Sequence, residues 1–206
     1  MMTGMVVWIF LAVIFTLSAQ PEVLQRPAGW NVRLDRPGFV SSEPYFTSMP
    51  PGWLTRPSSS VILYEPTSSV RGSFKLETEI QLLPSGPNEG YGVFLGGNSL
   101  DTNELSYTAF QFRRDGSFSI WFRSGSRTRD IVPWTPHPAI RKDSGGTEPV
   151  KNVLTIDVNG AEVTFSANGR ALHIARRSAL VVDGTYGFRL HENMSVLASR
   201  LSLQVP

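Results

Sequence analysis

Two Asn-Gly pairs, Asn159-Gly160 and Asn168-Gly169, restrict this chain more than any other feature. Asn-Gly accepts the positive φ that both central residues of a type I′ turn require, and that turn joins antiparallel strands through a two-residue loop. Val158-Asn159-Gly160-Ala161 read this way sets Ile156 opposite Val163 and Leu154 opposite Phe165. The second pair sets Phe165 opposite Leu172 and Val163 opposite Ile174. Both registers gather apolar side chains on one face. A three-stranded meander from about Val153 to Ile174 is therefore expected.

The same period-2 alternation recurs along the chain. Phe74, Leu76, Thr78, Ile80 and Leu82 share one strand face, and Lys75, Glu77, Glu79 and Gln81 share the other. Further strands are expected over Val61–Tyr64, Tyr91–Leu95, Tyr107–Arg113, Phe118–Arg123, Thr185–Leu190 and Val196–Val205. Between Phe112 and Phe118, a two-residue loop at Asp115-Gly116 would mix polar and apolar residues on both faces. A three-residue loop, Arg114-Asp115-Gly116 with Gly116 left-handed, instead pairs Phe112 with Phe118, Phe110 with Ile120 and Thr108 with Phe122. A one-residue slip turns every side chain over, so the second register is expected. The opposite face then carries Tyr107, Gln111, Arg113, Ser119, Trp121 and Arg123.

Many short strands with hairpins and no helical period define an all-β chain, read as a two-sheet antiparallel sandwich. A length of 206 residues with 41% hydrophobic and 17% charged residues excludes a disordered tail, a coiled coil and a multispan membrane protein. Cysteine is absent, which excludes disulfides, thiolate metal sites and cysteine nucleophiles. Met5–Leu17 is an apolar run too short to span a bilayer, and Ser18-Ala19-Gln20-Pro21 after it suits cleavage beyond Ala19. Residues 1–19 are thus read as a signal peptide and 20–206 as a single β-sandwich domain. The mature protein is expected to be secreted or periplasmic, with no integral span after cleavage.

The stretch Asn152–Leu172, NVLTIDVNGAEVTFSANGRAL, resembles the strand–turn–strand of concanavalin A-like lectin/glucanase domains. Asp183-Gly184-Thr185-Tyr186-Gly187-Phe188-Arg189 followed by Val196–Leu203 resembles the closing strands of their laminin G-like members. The resemblance covers roughly residues 30 to 205. It implies a concanavalin A-like jelly-roll, a fold that serves lectins, adhesion modules, glycoside hydrolases and polysaccharide lyases alike.

Each candidate chemistry has its own residues. Glycosidases of this superfamily alternate three carboxylates on one strand, and the resemblance makes Glu77 a nucleophile and Glu79 a helper. The acid/base position is Gln81, which has no titratable proton to donate, so the hydrolase or lyase reading lacks a third group unless Asp157 or Glu162 supplies it. His137, His173 and His191 are scattered without metal-ligand spacing. Asp101 and Asn103 offer oxygens for calcium, as loops of relatives do, but the order of a dedicated calcium loop is missing; no cofactor is expected. No Gly-x-Ser-x-Gly is present for a serine nucleophile.

The hairpin face is the more informative candidate. Arg113, Arg114, Arg123, Arg127 and Arg129 crowd a stretch whose only acid before Asp130 is Asp115. Guanidinium forks suit carboxylate or sulfate groups and stack on aromatic rings. Trp121 and Tyr107 are expected as stacking platforms for sugar rings, with Gln111, Arg113 and Arg123 as donors. Ile131–Ile140 is read as a stiff proline-rich loop that projects Trp134, either as a plug in the core or as a lid. The expected function is non-catalytic, lectin-like recognition of an extracellular or envelope oligo- or polysaccharide, acidic ones included. The alternatives are a hydrolase or lyase relative and an adhesion module binding proteins. A net charge of +2 argues against a nucleic-acid partner.

Overall fold

A computed structural model of the chain describes residues 26–35 and 44–206. The segment read as a signal peptide lies outside the described residues.

The strands are β1 (Asn31–Leu34), β2 (Tyr45–Met49), β3 (Gly52–Arg56), β4 (Val61–Val70), β5 (Phe74–Leu82), β6 (Tyr91–Asn98), β7 (Ser106–Phe112), β8 (Ser117–Ser124) and β9 (Arg127–Pro136). They continue with β10 (Val150–Asn159), β11 (Glu162–Ala167), β12 (Arg170–Arg176), β13 (Gly184–Leu190), β14 (Val196–Ser199) and β15 (Ser202–Gln204). One seven-stranded sheet runs β1-β4-β13-β6-β7-β8-β9. The other is eight-stranded, ordered β12-β11-β10-β5-β14-β3-β2 with β15 also paired to β5. Every strand pair is antiparallel. This is the two-sheet jelly-roll sandwich expected. No described helix is long and apolar enough to cross a membrane.

Alternation decides which face is buried. On β5 the odd and even positions separate cleanly, with Phe74, Leu76, Thr78, Ile80 and Leu82 inward. Phe110 of β7 meets Phe165 of β11 across the sheets, ring centroids 5.2 Å apart, and tilts onto Phe112 and Phe118. The β7–β8 loop has the register read from sequence: Phe112 faces Phe118, Phe110 faces Ile120, and Gly116 has φ +84°.

The meander departs from its expected registers. The first turn is Gly160-Ala161, with Asn159 opposite Glu162 and Ile156 opposite Phe165. Only Gly160 of these two takes positive φ (+56°), which suits a turn with glycine at its first central position. The slip is two residues, so Leu154, Ile156, Val163 and Phe165 keep the core face. At Asn168-Gly169 both residues take positive φ, as expected, and Ala167 pairs with Arg170. A bulge then intervenes, and Phe165 faces His173 while Thr164 faces Ile174. Ile174 is accordingly 57% exposed, because one extra residue re-aims the strand beyond it.

Ile131–Ile140 is not a free loop: β9 runs to Pro136 as the edge strand beside β8. Prolines are tolerated there because an edge strand leaves one row of N–H groups unpaired.

The seven-stranded sheet carries a second apolar layer on its outer face. Ile62, Tyr64, Phe94, Leu100, Leu105, Tyr107 and Ala109 form it, with Trp121 against it. Leu100 and Leu105 come from the β6–β7 connection, so that connection covers part of the outer face. Phe94, the centre of this layer, faces Gly187 across β6 and β13. A Cβ on Gly187 would stand 2.1 Å from the Leu63 carbonyl oxygen and 2.8 Å from the Phe94 ring.

Two substitutions test this architecture by urea unfolding. Gly187→Ala should lower stability by about 2 kcal/mol, the usual cost of overpacking. Ile174→Thr should change it by less than about 0.5 kcal/mol, as for exposed sites. A loss several times larger would place Ile174 on the core face after all.

Candidate functional site

The candidate site is the part of the seven-stranded sheet's outer face that the apolar layer leaves polar. Neighbouring positions there run Arg189 (β13), Gly92 (β6), Gln111 (β7) and Ser119 (β8). Arg189 lies between Phe188 and Leu190, which point into the core, so alternation sends its side chain outward. It is nevertheless only 3% exposed. Its guanidinium donates to the Asp35 carboxylate, and through Nη1 to the Leu190 carbonyl at 2.6 Å.

Asp35 organises the floor. Its Oδ1 also accepts from Arg123 Nη1 at 2.7 Å and from the Tyr107 hydroxyl at 3.2 Å. Arg123 Nη2 donates to the Asp35 main-chain oxygen at 2.9 Å. One carboxylate thus serves two guanidinium groups and a phenol. Burial pushes the Tyr107 phenol above its ordinary pKa, so it stays a donor.

Tyr107 is fully buried, its ring 5.3 Å from Phe94 and 5.5 Å from Trp121. The expectation that Tyr107 is an open platform is therefore replaced by a supporting wall. Gln111 is likewise fully buried. Its Oε1 accepts from the Trp121 indole N–H at 3.0 Å, and its Nε2 donates to the Arg189 carbonyl at 3.1 Å. Trp121 is half-buried, with the Arg189 guanidinium 5.7 Å from its ring centroid.

The more open groups stand at the neighbouring end. The Arg113 guanidinium lies 3.8 Å from the Trp134 ring centroid, a close cation–π stack, and Trp134 is half-buried rather than a core plug. Glu89 sits between Arg113 at 4.0 Å and His191 Nδ1 at 3.5 Å. Ser60 Oγ lies 3.3 Å from the same nitrogen. Asp35, Ser59, Ser60, Glu89, Arg189, His191 and Glu192 line a cleft of about 530 Å³. Burial, then the charge of Arg189, pulls His191 down to about 4, so it is a neutral imidazole at neutral pH. Arg113 Nε, Arg189 Nε and Ser119 Oγ are buried on this face without a hydrogen-bond partner.

The arginine group read from sequence is dispersed. Arg113 and Arg123 belong to this face, but Arg114 is paired with Asp143. Arg127 and Arg129 face Ser124 and Phe122, which lie on the other face of the hairpin. Asp35, Glu89, Arg189 and His191 were missed as site residues. Alternation marks Arg189, between two apolar neighbours, as outward-facing; nothing local distinguishes Asp35 or Glu89.

Glu77 and Glu79 lie elsewhere, on the outer face of the eight-stranded sheet. Glu77 is 3.6 Å from Lys75 and accepts from Thr155 at 3.0 Å; Glu79 is 3.1 Å from Lys151 and accepts from Gln81 at 3.2 Å. Asp157 faces Lys75, and Glu162 faces Arg176. Asp101 accepts from the Tyr64 hydroxyl, tying the β6–β7 connection to β4, and Asn103 is exposed. Among the described residues no group of three or more His, Cys, Asp or Glu is placed to hold a metal.

This geometry defines a concanavalin A-like jelly-roll sandwich with a polar and aromatic outer sheet face. The chain is similar in fold to the carbohydrate-binding module CBM66 from Bacillus subtilis, with 13% identity and a TM-score of 0.60 over 86% of this chain and 96% of that one. It is similar to the GH16 protein of a Bacteroides ovatus mixed-linkage glucan locus, solved with a product, with 8% identity and a TM-score of 0.60 over 88% and 97%. An alginate lyase matches with 13% identity and a TM-score of 0.53 over 80% and 85%. No family model matches the chain, and no curated protein does.

The depressed His191 has a measurable consequence. Between about pH 6.5 and 4 the unfolded chain binds a proton at this residue that the folded one does not. Its stabilising contribution is therefore complete above about pH 6.5 and lost as pH falls toward 4. An NMR titration should place the imidazole midpoint near 4, and His191→Gln should flatten the pH dependence of urea unfolding across that window. A midpoint near the ordinary value of 6.5 would show that the cleft does not desolvate the ring.

Proposed function

We propose that this chain is an exported, single-domain carbohydrate-binding module, from about residue 20 onward, that holds an oligo- or polysaccharide on the outer face of its seven-stranded sheet. The observation that carries the reading is the Arg113–Trp134 stack standing beside a cleft lined by Asp35, Glu89, Arg189 and His191. A sugar presents an apolar C–H face and a rim of hydroxyls. A flat indole meets the first, and paired carboxylates and guanidinium groups meet the second. Similarity in fold to a carbohydrate-binding module supports the same reading.

Trp121, Trp134 and Arg113 are assigned to ligand contact, and the buried Arg189, held by Asp35 and the Leu190 carbonyl, to positioning. Tyr107, Gln111 and Arg123 are assigned to positioning, since their polar atoms are already engaged within the fold. The carboxylates Asp35 and Glu89 are each faced by guanidinium groups, Asp35 by Arg189 and Arg123 and Glu89 by Arg113. With charges so balanced, the reading takes in neutral and acidic glycans alike.

A glycan array followed by affinity electrophoresis tests the proposal. Arg113→Gln and Trp134→Ala should each weaken retention by at least about tenfold while the melting temperature moves by only a few degrees. Trp121→Ala should lower the melting temperature as well, because it leaves the buried Gln111 carbonyl without its donor. Chelation should leave retention unchanged, since Asp101 is committed to Tyr64. A blank array, or retention indifferent to both Arg113 and Trp134, would refute the assignment.

A further inference from the structure

A second cavity, of about 330 Å³, opens between the two sheets, far in character from the polar face. Its walls are apolar and largely aromatic: Trp30, Phe46 and Trp53, with Phe188 and Leu190 of β13. Trp30 stacks on Phe188 with centroids 5.7 Å apart and planes 19° from parallel, which gives the cavity one flat wall.

Two polar groups mark its ends. Thr55 lines the cavity, is 2% exposed, and its Oγ1 has no hydrogen-bond partner. A buried hydroxyl without a partner is costly, and so it indicates where a ligand's polar atom belongs. Arg200 also lines the cavity, is exposed, and makes no ion pair among the described residues. Ala28, Trp30 and Arg200 border an outer trough of about 390 Å³ as well, so Arg200 stands where the cavity meets the surface.

The register gives the separation of these ends. Thr55 faces Val196 and Gly52 faces Ser199, the residue before Arg200. Val196 to Arg200 is four residue steps, which at about 3.3 Å each come to roughly 13 Å between main-chain positions, less the reach of the two side chains. At about 30 Å³ per water-sized group, the cavity accommodates on the order of eleven non-hydrogen atoms.

From these dimensions we infer that the inter-sheet cavity binds a small, flat aromatic acid bearing a hydroxyl at the end remote from its carboxylate. The ring lies against Trp30 and Trp53, the carboxylate meets Arg200 at the mouth, and the hydroxyl reaches Thr55. A 4-hydroxyphenylpropenoate has this length, flatness and polarity. The site is separate from the proposed glycan face, and its occupation does not depend on that reading.

The test is calorimetric titration of the full-length chain with 4-hydroxycinnamate, cinnamate and 4-hydroxycinnamamide. The first should bind saturably with one-to-one stoichiometry, and each of the others at least fivefold more weakly. Thr55→Val should abolish the preference over cinnamate and leave the preference over the amide. Arg200→Gln, at an exposed position that folding tolerates, should do the reverse. No saturable binding of 4-hydroxycinnamate at millimolar concentration would overturn the inference. So would equal affinity of the intact chain for all three compounds, or variants that leave both preferences unchanged.

Discussion

The ion pair between Arg189 and Asp35 is the interaction on which the outer sheet face depends. A guanidinium that is 3% exposed is tolerated only with a carboxylate against it, and removing one member of such a pair typically costs about 3–5 kcal/mol. Asp35 closes β1, at the edge of the sheet, whereas Arg123 lies on β8 near the opposite edge. One carboxylate therefore ties distant parts of a seven-stranded sheet together over its outer surface. Tyr107 beneath it and Gln111 beside it are held by the same network. A network of this kind fixes the rotamers of the floor beneath Trp121.

The two faces of that sheet differ in chemistry. Its inner face joins the Phe110–Phe165 contact and the rest of the inter-sheet core. Its outer face is apolar toward the β6–β7 connection and polar toward β13 and β9. That is why β6 is buried along nearly its whole length, although only alternate side chains reach the main core. The proposed glycan contacts fall on the side where carboxylates, guanidinium groups and indoles meet.

Local chemistry was readable wherever a turn and an alternating pattern agreed. The three-residue loop at Gly116 followed because any other register would have placed Phe110 and Phe112 on opposite sides from their partners. The meander shows the limit. Its core face was legible because a two-residue slip preserves parity, but the position of the first turn was not, since Asn-Gly and Gly-Ala are both competent hairpin pairs. The bulge that exposes Ile174 leaves no mark in the hydrophobic pattern, because Leu172 and Ile174 both look like core residues. Trp134 was misread for a related reason: proline spacing suggests a loop, and only the edge position of β9 makes those prolines compatible with pairing.

The candidate site was half legible. Gln111, Arg113, Trp121 and Arg123 were found because they lie on adjacent strands of one hairpin, where sequence distance and spatial distance nearly coincide. Asp35, Glu89, Arg189 and His191 come from far along the chain and reach the same face because the sheet orders its strands β4-β13-β6-β7. The sequence by itself determined an all-β sandwich, the faces of its longest strands and the hairpin at the centre of the site, because alternation and turn stereochemistry act over a few residues. Only the tertiary structure decided which carboxylate neutralises which arginine, which aromatic is covered and which is open, and where a cavity remains between the sheets. Those outcomes follow from strand order and burial, which bring residues together with no regard for their spacing in the chain.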